Sequence, residues 1–209
     1  MFRVVKFAAI AAVALSLSAC ALTEDEITLA YAPPAGTVAT TPGAEQVSVG
    51  VNATDERMQY QDRVSSKKNG YGMEMAAIRS TNSPIDLLKA TLEQELSAHG
   101  FKVGAGGATV TAKVLRFYND YKTGMFSGDA VADITVNLEV KDAAGKIVYS
   151  RALQSQGALK GIGIANGSNA KQALEMALTN AMAQLRNDTA FYGALAATGA
   201  KPAGGKPTS

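Results

Sequence analysis

The 209-residue chain carries 20 basic and 18 acidic side chains, one histidine, one cysteine and no tryptophan. So even a balance gives no electrostatic case for nucleic acid as a partner. A lone cysteine excludes an internal disulfide, and a single histidine leaves little from which to build a metal or acid–base centre.

Residues 1–19 show the three parts of a secretory signal: the positive Arg3 and Lys6, an uncharged run from Phe7 to Leu17, and the small residues Ser18 and Ala19. The run is shorter than the roughly 20 apolar residues a membrane-crossing helix needs. Leu17-Ser18-Ala19-Cys20 therefore reads as a lipoprotein processing site, with Leu17, Ser18 and Ala19 recognised by the signal peptidase and Cys20 becoming the lipid-bearing N-terminus. A diacylglycerol thioether with a further acyl group on the new amine supplies more than one chain. Each buried CH2 is worth about 0.8 kcal/mol, so several chains hold where one is marginal. The lipid bilayer, through acylated Cys20, is the first expected partner. Loss of Arg3 and Lys6 with the signal leaves 18 charges of each sign.

Residues 20–45 read as a lipidated cysteine followed by a flexible tether, acidic at Glu24-Asp25-Glu26 and broken at Pro33-Pro34-Ala35-Gly36 and Thr40-Thr41-Pro42-Gly43. Taken as a loose chain, such a segment spans about 25–30 Å and clears the headgroups. The body is expected over 46–192, a length suited to one domain. Val47, Val49 and Val51 alternate in a first strand, and Tyr71, Met73, Met75 and Ala77 in a second. Ser83, Pro84 and Asp86 start a helix in a capping-box-like arrangement, with Ile85, Leu88, Leu92 and Leu96 as its apolar stripe and Gly100 as its stop. His99, in its last turn, suits the helix dipole rather than catalysis.

Gly104-Ala105-Gly106-Gly107 precedes a strand and so is a turn, not a phosphate cradle. The third strand covers 109–118; its apolar phase shifts from Val110, Ala112 and Val114 to Leu115 and Phe117, which predicts a bulge. The fourth alternates from Ala130 to Val140, one face core and one wet, as in an antiparallel sheet. Asp142-Ala143-Ala144-Gly145 turns the chain into a fifth over 146–156. A glycine-rich crossover over 157–167 lacks the spacing of a nucleotide loop. Ser168 caps a second helix, faced by Ala170, Ala173, Leu174, Ala177, Leu178, Ala181, Met182 and Leu185 and ended by Asn187-Asp188. Residues 193–209 form a Gly/Ala/Pro/Lys tail expected to be disordered.

The order strand, strand, helix, three strands, helix predicts an α+β two-layer sandwich: a mixed, mainly antiparallel sheet of about five strands with two helices on one face. The helix between the second and third strands makes that pair the candidate for parallel pairing.

The lipobox at 17–20, the strand Val47-Ser48-Val49-Gly50-Val51-Asn52, the passage from Leu92 through His99-Gly100-Phe101 to Gly104, and the alternating fourth strand resemble the YajG-type family of bacterial lipoproteins. The resemblance implies location and fold, and brings no catalytic or cofactor-binding residues. Ala21 after the lipidated cysteine is similar to outer-membrane sorting, which faces the protein to the periplasm. Tyr118, Tyr121, Met125 and Phe126, between the third and fourth strands, are the candidate contact surface for an envelope protein, since exposed aromatic residues favour interfaces. The reading is a non-catalytic binding or scaffolding module without cofactor or metal. The alternative is an accessory lipoprotein of a lipid or solute transport system, holding a small apolar ligand.

Overall fold

The computed structural model describes residues 22–33, 36, 38–122, 124 and 127–199. The signal, Cys20 with its recognition residues Leu17, Ser18 and Ala19, and the loop residues Met125 and Phe126 lie outside them. The strands are β1 (Asp25–Ile27), β2 (Ser48–Asp55), β3 (Ser65–Lys68), β4 (Glu74–Ser80), β5 (Lys102–Val103), β6 (Ala108–Lys122), β7 (Gly128–Lys141) and β8 (Ile147–Ile162). The helices are α1 (Pro84–Ala98), α2 (Gly167–Arg186) and α3 (Thr189–Ala197), with a single 3-10 turn at Ala44–Gln46.

The fold is α+β, as the element order predicts. Its main sheet runs β5-β2-β6-β7-β8. β6, β7 and β8 form an antiparallel meander, while β2 is parallel to both β5 and β6. α1 lies over β2 and β5, and α2 lies beside it across β6, β7 and β8. The period-2 pattern of β7 explains the arrangement: Ala130, Ala132, Ile134, Val136, Leu138 and Val140 are all buried, whereas Asp133, Thr135, Asn137 and Glu139 between them are only partly covered. The phase shift in β6 is a register irregularity between Val114 and Arg116. It moves Phe117 and Tyr121 onto the face already held by Val110, Ala112 and Val114, so all five are buried.

α2 sits unusually close to β8. A Cβ on Gly157 would stand 2.2 Å from the Ala173 carbonyl oxygen and 2.4 Å from the Ala177 nitrogen. Ser155 Oγ donates to the Ala177 carbonyl at 2.8 Å, and the side-chain amides of Asn180 and Gln184 donate to the carbonyls of Gln156 and Gln154 at 2.8 and 2.9 Å.

Four expectations are corrected. First, the strand expected over 71–79 does not join the main sheet. As β4 it lies between β1 and β3 in a separate three-stranded sheet, and β2 takes the parallel place beside β6. Second, the segment read as a tether packs against the domain at several points from Asp25 onward. β1 pairs in parallel with β4, Ile27, Leu29 and Ala44 are buried, and the Thr41 N–H donates to the His99 carbonyl at 2.9 Å. Ile27, Leu29, Tyr31 and Ala44 find core to join, which outweighs the flexibility expected from its breakers. Third, Asn166, not Ser168, caps α2, accepting from the Asn169 N–H at 3.0 Å, and β8 extends through Ile162 into the expected crossover. Fourth, the domain does not end at 192. Asp188 opens α3, which runs to Ala197 and buries Phe191, Tyr192 and Leu195.

Asp188 holds this last helix to the sheet. Its carboxylate accepts from the Phe191 N–H at 3.0 Å, from the Tyr149 hydroxyl at 2.6 Å and from Arg151 at 2.5 Å. Burial pushes the carboxyl up, but those three hydrogen bonds outweigh it and hold it below the usual range. Its contribution is therefore complete above the unfolded-state value of about 3.9 and is lost as pH falls through the lower folded value. Asp188→Ala should destabilise by about 2–3 kcal/mol at neutral pH, from a lost cap and lost charged hydrogen bonds. In urea titrations the gap to wild type should shrink steadily below about pH 4.

Candidate functional site

α1 ends at His99, the cap, and Gly100 follows at φ 92°, the left-handed conformation that lets the Phe101 N–H return to the Leu96 carbonyl at 3.1 Å. This brings the His99 ring against α3, where it stacks on Tyr192 with ring centres 3.8 Å apart. The segment around Val38 to Pro42 passes over the same spot, tied to it through Thr41. Between them lies a largely apolar cavity of about 630 Å³, walled by Val38, Pro42, His99, Arg186, Tyr192 and Ala196.

Its base is polar. Glu95, one turn before His99, is buried and receives Arg186 from the last turn of α2 in a two-pronged pair, Nε to Oε2 at 2.7 Å and Nη2 to Oε1 at 3.1 Å. Tyr31 completes the cluster: its hydroxyl donates to Glu95 and accepts from Arg186 Nη2 at 2.6 Å. Burial, with the Glu95 carboxylate adding to it, pushes the Tyr31 phenol up to about 12. Hydrogen bonding to Glu95 raises Arg186 further. Burial also holds the Tyr192 phenol well above its ordinary value, and its hydroxyl is buried without a hydrogen-bond partner among the described residues.

Two polar atoms of the wall keep donor or acceptor capacity. Arg186 Nη1 makes no hydrogen bond among the described residues and is not among their buried, unpartnered atoms. The same holds for His99 Nε2, because His99 engages the Glu95 carbonyl through Nδ1 at 2.8 Å. The carbonyl can only accept, so Nδ1 carries a proton. The cavity thus offers largely apolar walls with a few polar groups, Arg186 and His99 among them, a combination suited to a small amphiphile. No group of His, Cys, Asp or Glu among the described residues is spaced to hold a metal ion, and no helix among them is long and apolar enough to cross a membrane.

The aromatic contact surface is not assembled as expected. Tyr118 and Tyr121 are 4% and 3% exposed. Tyr118 lies under Tyr60, ring centres 4.2 Å apart, and Tyr121 donates to the Asn166 carbonyl at 2.5 Å beneath the start of α2. Tyr121 belongs to the core, Tyr118 is covered on the opposite face of β6, and Met125 and Phe126 lie outside the described residues. Sequence reasoning also passed over Tyr31, Glu95 and Arg186, which come together across separations of 64 to 155 positions. One local signal was present: Glu95 falls three residues after Leu92, on the edge of the apolar stripe of α1, where a charge requires a buried partner.

Comparison with known proteins gives a family and a similar fold. Residues 33–196 match a family described as uncharacterized lipoprotein. No curated protein matches the sequence. Among solved structures, protein XCC0632 from Xanthomonas campestris is similar in fold, with a TM-score of 0.56 at 19% identity over 82% of this chain and 96% of that one. A minor lipoprotein from Acinetobacter baumannii gives a TM-score of 0.44 at 11% identity, covering 70% of this chain and 92% of its own. With the family match spanning most of its length, this chain belongs to that lipoprotein family.

Proposed function

We propose that the protein is a non-catalytic, lipid-anchored binding module of the cell envelope whose ligand is a small amphiphile held at the end of α2. The observation that carries this is the cavity itself: about 630 Å³ with a largely apolar lining that includes Arg186 and His99. That volume falls in the range of sites that enclose small ligands, about 300–1,000 Å³. The titratable groups around it serve structure, since Glu95, Arg186 and Tyr31 satisfy one another and His99 is held by a helix carbonyl. This supports ligand holding over catalysis. Anchorage through Cys20, placement at the outer membrane from Ala21 and membership of the YajG-type group within the lipoproteins rest on the sequence. With Tyr118 and Tyr121 buried, the cavity takes precedence over a scaffolding surface. A place beside a lipid or solute transport system follows from the same ligand chemistry.

Gly193 provides a clean test. It lines the cavity, and a Cβ there would meet nothing within 4 Å. Gly193→Phe should fill the cavity while leaving α3 as stable or slightly more so, since glycine in a helix is disfavoured by about 1 kcal/mol relative to alanine. Calorimetric titration with dodecanoate should show binding to the wild type, weakened at least about tenfold in Gly193→Phe by loss of a few kcal/mol of apolar burial. Absence of dodecanoate binding to the wild type, or equal binding to both proteins, would reject the cavity as the site.

A further inference from the structure

β1 determines where the anchor leaves the fold. It runs parallel to β4, with Asp25 opposite Ile78 and Ile27 opposite Ser80. The chain preceding Asp25 therefore arrives from the end of the small sheet at which β3 turns into β4. That turn, over 69–73, presents Tyr71 at 89% exposure and Met73 at 58%. The beginning of α2 meets the same corner, because the Asp25 carboxylate accepts from the Gly167 N–H at 2.8 Å. Ile164, three residues before Gly167, is 67% exposed, and Leu22, three before Asp25, is 62% exposed. Cys20 lies two residues before Leu22, so its backbone is within about 7 Å of it whatever path the chain takes.

Leu22 and Ile164 thus flank the contact of Asp25 with Gly167, and Tyr71 and Met73 stand at the end of β4 toward which the chain before Asp25 runs; each is too exposed to serve the core. Several charges of this corner are matched internally: Lys67 with Asp25 at 2.7 Å, Lys68 with Asp120 at 2.5 Å, and Arg79 with Glu24 at 2.8 Å and Asp62 at 3.0 Å. This leaves the exposed Lys122 and Lys160 without an ion pair among the described residues, too few charges for a polyanion site. Such a corner is built for an apolar and interfacial surface rather than for a polyanion. Tyrosine at its tip suits a headgroup layer, where one end of the ring is apolar and the other wet.

We infer that the pole formed by Leu22, Tyr71, Met73 and Ile164 seats in the headgroup layer of the bilayer that holds the acyl chains of Cys20. The domain then lies on the membrane instead of hanging from it on a leash. This rests on the lipid-anchor reading. A few side chains would not hold a free protein on a bilayer, but the anchor makes their contact intramolecular and raises their effective concentration.

The chain contains no tryptophan, so Tyr71→Trp supplies a single reporter. Ile147→Trp supplies the reference, at an exposed site at the start of β8, the end of that strand away from Ile162. Both would be prepared as lipidated full-length protein in phosphatidylcholine vesicles brominated on the acyl chains. The expected result is several-fold stronger quenching and a blue-shifted emission for Tyr71→Trp, unchanged by high salt. Adding Cys20→Ala to Tyr71→Trp should abolish both effects. Equal quenching at the two positions, with both proteins floating with the vesicles, would overturn the seated pole and leave the anchor standing. Failure of the lipidated protein to float would overturn the anchor reading and this inference with it.

Discussion

Gly157→Ala is expected to destabilise the protein by about 3 kcal/mol, at or above the upper end of the usual range for overpacked cores. The new methyl would stand 2.2 Å and 2.4 Å from backbone atoms of Ala173 and Ala177, and 2.9 Å from Met176 Cβ. Backbone atoms in the middle of a helix cannot swing aside as a side-chain tip can, so α2 must lift as a body. Lifting it loosens the layer made by Leu174, Leu178 and Met182, all buried, and pulls Ser155 from the Ala177 carbonyl. Urea unfolding should show a lower midpoint with an unchanged slope. Gly157→Val should fail to give folded protein. A Gly157→Ala midpoint within error of wild type would mean that α2 does not rest on β8 as described.

The second large effect is expected at Glu95 and Arg186, whose side chains are 3% and 17% exposed. Removing either partner alone leaves the other charge poorly solvated, and breaking such a buried pair typically destabilises by about 3–5 kcal/mol. Glu95→Ala and Arg186→Ala should each fall in that range. The double variant Glu95→Leu, Arg186→Met should recover most of the loss, because a buried pair replaced by apolar side chains is often neutral or better. A double-mutant cycle read by urea titration measures the coupling. Additive losses would show that the two charges do not depend on each other. Tyr31→Phe, which removes one hydroxyl, should cost about 1 kcal/mol.

Local pattern made much of the main sheet and its two long helices legible. The alternation of β7, the phase slip in β6 and the cap at Ser83 are all consequences of neighbouring residues, and the Asp86 N–H does donate to Ser83 Oγ at 3.2 Å. What escaped is what the period of a strand does not carry: its partner. β4 alternates well enough to be recognised, but nothing in its residues says that it pairs with β1 and β3 rather than with the main sheet. β1 is three residues long, too short for a pattern, and its pairing lies more than 50 positions away. Tyr118 points to the face of β6 away from the helices, where exposure is the natural expectation; the loop bearing Tyr60 folds over it. The cavity was equally hidden, since its walls come from the segment around Val38, from the ends of α1 and α2, and from α3, where glycine and alanine read as tail.

The length of α2 has a consequence for traffic. It begins beside Asp25, five residues after the proposed anchor Cys20, and ends at Arg186 in the cavity wall. Twenty residues of helix rise about 30 Å. On the proposed seating, α2 is in effect a mast, with the bilayer at its foot and the proposed binding cavity at its head. A ligand in that cavity would then stand clear of the headgroups and exchange with the aqueous side, not sideways with the leaflet below. Cargo of this kind must either cross water on its own or be handed over by something that reaches the masthead.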